Sequence, residues 1–180
     1  VQGRVLLIDN ELHPETLANR IPRVAEAMGL TLDEVADHFC VQTLRGRLTD
    51  LYGMEPYFRS LPPNRFKLVI LDAFYRFIPK DTDENDNGAI ANLYNLIDLY
   101  AMRLGCAFVL IHHTSKGNQS GKFLTDVGAG AGSQSRAVDT HACLRQHEEE
   151  NLVVLEAAAR SWPPTEPIAL QWTWPLFIPV

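Results

Sequence analysis

Val5-Leu6-Leu7-Ile8-Asp9-Asn10-Glu11 and Leu68-Val69-Ile70-Leu71-Asp72 are apolar runs that each end in a carboxylate, and Ala107-Phe108-Val109-Leu110-Ile111-His112-His113 is a third that ends in histidines. Short runs of this Val/Ile/Leu type read as strands buried on both faces, the mark of a parallel sheet. In an open α/β sheet, ligands bind beyond the carboxyl ends of the parallel strands, so the residues ending these runs fall on one edge. The Gly-rich phosphate loop G-x-x-x-x-G-K-[ST] that such an edge calls for occurs nowhere in the 180 residues.

The segments between the runs support an α/β reading. Pro14 to about Met28 has a helical pattern that Gly29 stops, and Pro22 is expected to kink or split it. Thr31-Leu32-Asp33-Glu34 has the S/T-x-x-E form of a capping box and should start a short helix through Asp37, followed by a strand from Phe39 to Leu44. Residues 49–58 are loosely helical, and Leu61-Pro62-Pro63-Asn64 breaks the pattern before the second carboxylate run. The polar stretch 81–88 leads into a helix in which Ile90, Leu93, Leu96, Ile97, Tyr100 and Leu104 recur at three-and-four spacing, closed by Gly105. Two buried strands flanking this helix make a β-α-β unit with parallel pairing. Beyond a Gly-rich, basic tract from Thr114 to Ser135, alternation returns at 141–144, 152–158 and 168–174, which predicts three strands with short connections, an antiparallel annex.

Composition narrows the class. A chain of 180 residues suffices for one domain that buries about 70% of its unfolded surface. A content of 46% hydrophobic and 21% charged residues is that of a soluble globular protein, and no apolar run reaches the roughly 18 residues of a membrane span. The net charge of −6 excludes a protein coated in positive field, while leaving room for a local basic patch. Cys40, Cys106 and Cys143 are widely spaced in apolar surroundings without C-x-x-C pairing, which points to reduced thiols and a cytoplasmic setting. The opening Val1-Gln2-Gly3-Arg4 has no signal-peptide character and no initiating Met, so the chain is expected to belong to a longer protein.

Several residues have the chemistry for a site. Asp72 ends its strand as a Walker B carboxylate does, placed to hold a magnesium-bound water, although an apolar strand ending in Asp is also common for structural reasons. Glu11, beyond a neighbouring strand end, can orient a water for in-line attack on a γ-phosphate, or can be a loop carboxylate near a helix start. Asp9 and Asn10 also fit as turn residues. His113, with His112 as the fallback, can donate to a phosphate oxygen. A zinc site is disfavoured because His141 and His147 lie on other elements without ligand spacing. Gly117-Asn118-Gln119-Ser120-Gly121-Lys122-Phe123 is not a phosphate loop. It has three residues between its glycines where four are needed, and Phe follows its Lys. Lys116 and Lys122 read instead as loop cations able to meet nucleic-acid phosphates. Arg136, after a Gly/Ala/Ser tract, is presented as an arginine finger would be, with a salt bridge to Asp139 as the structural alternative.

In their order and joint presence these tracts resemble the RecA-like ATPases, most closely the RepA-like hexameric helicase branch. Ile8 to Glu11 looks like the catalytic-glutamate strand, Leu68 to Asp72 the Walker B strand, Ile111 to Lys116 the histidine motif, and Gly128 to Arg136 the finger-bearing segment. The resemblance implies a single domain over 1–180. Its core would be a RecA-like three-layer α/β arrangement with a mostly parallel sheet, a C-terminal antiparallel annex, and the first, Walker A strand missing. It further implies ATP and Mg²⁺ as cofactors, with Glu11 polarising the attacking water, Asp72 positioning Mg²⁺, His113 sensing the γ-phosphate and Arg136 acting on a neighbouring subunit. Single-stranded DNA and self-association into a ring are the implied partners, with no membrane. The missing Walker A segment implies that these 180 residues alone neither bind ATP tightly nor hydrolyse it. Two other readings stay open: a RecA-fold regulatory module that never hydrolyses ATP, and an unrelated metal-dependent phosphatase built on Asp9, Asp72 and His113.

Overall fold

The computed structural model describes residues 2–83, 86–113 and 136–180. The chain forms two compact units, divided after His113.

The first unit is a parallel sheet with helices. Its strands are β1 (Val5–Asp9), β2 (Phe39–Thr43), β3 (Leu68–Asp72) and β4 (Ala107–Leu110), in the order β2-β1-β3-β4. The helices are α1 (Pro14–Ala27), α2 (Leu32–His38), α3 (Glu55–Ser60) and α4 (Asn87–Leu104), with a single 3-10 turn at Phe74–Phe77. Each predicted strand is present with its ends moved by a residue or so, as expected where side chains fade from apolar to polar. Register puts Leu6 and Ile8 on one face with Val69 and Leu71, and all four are at most 2% exposed.

Against the core lies α4, which buries Ile90, Leu93, Tyr94, Ile97, Tyr100 and Leu104; Tyr94 adds itself to the predicted stripe, and Leu96 is only half-buried. The Asp86 side chain caps the start of α4 by accepting from the N–H groups of Gly88 and Ala89. Gly105 ends it with φ +64°, a left-handed conformation that side chains resist, and a Cβ there would sit 2.3 Å from Asn64 Oδ1. Gly105→Ala is therefore expected to destabilise the chain by about 1–2 kcal/mol, read as a lower urea midpoint.

The capping box at Thr31 is formed: its hydroxyl accepts from Glu34 N–H, and the Glu34 carboxylate accepts from Thr31 N–H. Pro22 does not split the first helix, contrary to the sequence expectation, and α1 runs through it. The carbonyl that Pro22 leaves without its helical donor is that of exposed Ala18, where water can serve.

In the second unit β5 (Thr140–Gln146), β6 (Leu152–Ala159), β7 (Ile168–Thr173) and β8 (Leu176–Pro179) form an antiparallel meander in sequence order. The annex thus has four strands, where alternation predicts three. Arg145 pairs with Glu156 across β5 and β6 at 2.9 Å. The three cysteines are unpaired and half-buried. Among the described residues no helix is long and apolar enough to cross a membrane.

Candidate active site

Pairing of β1 with β3 sets Asp9 directly beside Asp72, so the two strands end level. Beyond them the chain is held by side chains. Asp9, 1% exposed, accepts with Oδ1 from the N–H groups of Glu11 (2.9 Å) and Leu12 (2.7 Å), which folds the turn that presents Glu11. Asn10, equally buried, clamps the neighbouring strand end. Its Oδ1 accepts from Ala73 N–H at 2.9 Å, its Nδ2 donates to Ala73 C=O at 3.2 Å, and its own N–H donates to Asp72 C=O at 2.8 Å. The turn reading of Asp9 and Asn10 is thus correct, and Asn10 in addition joins two loops 63 residues apart.

The 3-10 turn after β3 supplies two groups that the sequence reading does not reach. Phe74 and Phe77 are fully buried, and three-residue spacing stacks them on one side of such a turn, which turns Tyr75 and Arg76 toward the edge. Tyr75 donates its hydroxyl to Glu11 Oε1 at 2.7 Å, and Arg76 Nε donates to that hydroxyl at 2.9 Å. Arg76 also donates to the carbonyl of Asn10 at 3.1 Å, and the guanidinium of Arg45 donates to the carbonyl of Glu11. The motif Phe74-Tyr75-Arg76-Phe77, polar between apolar at three-residue spacing, is the available signal.

Glu11 Oε2 faces His113 Nε2 at 3.2 Å. The Tyr75 hydrogen bond, foremost, holds the Glu11 carboxyl below the ordinary carboxylate range against the opposing effect of burial, and His113 and Arg76 add to it. An ionised carboxylate only accepts, so the ring proton of His113 sits on Nε2. His112 turns elsewhere: its ring lies 4.9 Å from that of Phe74, beside the buried hydroxyl of Tyr94, whose pKa burial pushes up to about 12. The geometry therefore places His113, and not the fallback His112, beside Glu11.

Asp72 is half-buried, and burial, then the charges of Asp9 and Glu11, raise its pKa above the usual value. Asp9 Oδ2 is buried and has no hydrogen-bond partner among the described residues. Three crowded carboxylates with one orphaned oxygen make a site that a divalent cation would relieve. Among the described residues no three His, Cys, Asp or Glu side chains are grouped to bind a metal directly. The arrangement thus fits Mg²⁺, which keeps several of its waters, better than a metal needing a full protein cage.

A family model described as AAA domain, AAA_25, matches residues 1–119. The chain belongs to that AAA domain family. Among solved structures, the AAA domain superposes on an isolated phage-type ATPase domain with TM-score 0.73 at 12% identity, over 99% of this chain and 75% of that one. A DnaB-like replicative helicase, solved with its primase interactions described, gives TM-score 0.73 at 13% identity over 98% of this chain, which spans only 51% of the helicase. The RadB recombinase gives 0.60 at 18% identity, over 95% and 76%. These likenesses establish the RecA-like ATPase fold, a parallel sheet with a separate antiparallel one, as the four motifs implied.

Arg136 lies in the second unit, exposed, with its carbonyl accepting from the Arg160 guanidinium; among the described residues it makes no ion pair with Asp139. Lys116 and Lys122 lie outside the described residues of the AAA domain, as do residues 128–135 ahead of Arg136.

Proposed function

We propose that this AAA domain is the catalytic-edge portion of a RecA-like, RepA-type ATPase that couples ATP hydrolysis to movement along single-stranded DNA, as a replicative helicase of a plasmid or mobile element. The observation that carries the reading is Glu11, an anionic carboxylate at a strand end, level with Asp72 and hydrogen-bonded by His113. Glu11 orients the attacking water, Asp72 holds Mg²⁺ through water beside the phosphates, and His113 reports the γ-phosphate. Arg136 serves a neighbouring subunit of a ring, a hexamer by analogy, and Lys116 and Lys122 face DNA. The working domain takes in both units. Bound Mg²⁺ supplies charge neutralisation at the transferring phosphoryl group.

The phosphate-binding loop, absent from these 180 residues, is assigned to a segment preceding Val1 in the working polypeptide. The purified 180-residue chain is therefore expected to release no phosphate from ATP above background, with or without single-stranded DNA, whereas the reading frame extended upstream should do so and unwind forked DNA. Steady turnover by the short chain would overturn this division of labour. The same missing loop favours a second reading, a RecA-fold assembly module that does not hydrolyse ATP; an upstream frame without G-x-x-x-x-G-K-[ST] would select it.

A further inference from the structure

We propose that Tyr75 and Arg76 are positioning residues for hydrolysis: Arg76 fixes the Tyr75 hydroxyl, and that hydroxyl fixes the rotamer of the Glu11 carboxylate at which the attacking water is held. The inference rests on the reading of Glu11 given above.

The chain of donors runs in one direction. Arg76 Nε donates to Tyr75 Oη, which spends its own proton on Glu11 Oε1, so each bond polarises the next. Arg76 cannot drift, because its Nη1 is anchored on the carbonyl of Asn10, itself clamped to the end of β3. The Tyr75 ring stands 5.8 Å from the ring of His113, so the two groups that grip opposite oxygens of Glu11 also pack on one another.

Each carboxylate oxygen has two lone pairs, and the structure uses one on each, leaving one on each for a water. The Glu11 side chain retains 25% exposure, so solvent reaches it. Holding the carboxylate anionic makes it a poorer proton store and a better-defined acceptor, which suits orientation of a water in a phosphoryl transfer. The groups facing Glu11 are Tyr75 and Arg76 from the 3-10 turn, His113 after β4, and Asp72 and Asp9 at the ends of β3 and β1.

The test uses the intact ATPase and, separately, the nucleotide-free 180-residue chain. Tyr75→Phe keeps the ring and removes only the hydroxyl. It should lower kcat about tenfold with KM for ATP unchanged, the signature of a group that acts at the transition state. Arg76→Ala should do the same. In the nucleotide-free chain, Tyr75→Phe should shift the carboxyl carbon resonance of Glu11 at neutral pH, a change that a remote packing role would not produce. Wild-type kcat in Tyr75→Phe, a rise in KM alone, or an unmoved Glu11 resonance would each overturn the inference. Glu11→Gln separates the two levels: if it inactivates while Tyr75→Phe does not, positioning fails and the role of Glu11 stands; if Glu11→Gln turns over normally, the role of Glu11 itself falls.

Discussion

Glu11→Gln in the intact ATPase is expected to reduce ATP turnover by about 10²–10⁴-fold while nucleotide binding persists. Gln has the shape of Glu, and its amide oxygen can still accept from Tyr75 at the place of Oε1. Its amide nitrogen would face His113, whose ring can present a lone pair instead of a proton by changing tautomer. The edge therefore keeps its form and loses one negative charge, the charge that orients and polarises water. Phosphate release at saturating ATP, alongside equilibrium binding of a fluorescent nucleotide, separates the two effects. A variant that binds less tightly but turns over at the native rate would remove Glu11 from the chemistry and return it to the loop role that its position near the start of α1 also allows.

The second large effect concerns stability. Phe58→Ala is expected to cost the 180-residue chain about 3–5 kcal/mol, the range for emptying a fully buried aromatic site. Phe58 has no exposed surface, and its ring meets Tyr100 at 4.6 Å and Phe108 at 5.7 Å, so it joins α3, α4 and β4 in one aromatic cluster. No neighbour is small and mobile enough to fill the void without giving up its own packing. The helices α1 to α4 lie in the first unit, so helical circular dichroism during urea unfolding reports on it. Trp162, Trp172 and Trp174 lie in the second unit and supply fluorescence from that part of the chain in the same titration. A helical midpoint unchanged by the substitution would show that the cluster contributes little.

Much of this architecture is legible in the residues because it is local. Thr31 and Glu34 cap a helix within four residues, Gly105 stops one by its own backbone freedom, and the α4 stripe follows from period alone. The level ending of β1 and β3 also follows, since parallel strands of one sheet place their carboxyl ends together. What cannot be read is what distance in sequence hides. Tyr75 reaches Glu11 across 64 positions and Asn10 reaches Ala73 across 63, bonds that no spacing announces. β8 escapes a reading by alternation because Leu176–Pro179 is four residues long, and it is a strand only because Phe177 finds Trp172 opposite. Of the two histidines, adjacency gives no choice; the pocket of Phe74 and Tyr94 takes His112 and leaves His113 at the edge. The break expected at Pro22 fails for the opposite reason, since a local rule yields to an exposed position where water replaces the lost donor.

Asn10, the residue before Glu11, spends both ends of its amide on the backbone of Ala73, the residue after Asp72. In evolutionary terms this makes the two loops a linked trait. An insertion after β1 that moved Glu11 would also pull the clamp from Ala73 and strand two buried polar groups, and an insertion after β3 would do the same from the other side. Lineages of this domain are thus free to vary the outer face of α1 residue by residue, while the interval between the two carboxylates can change only by paired, simultaneous steps.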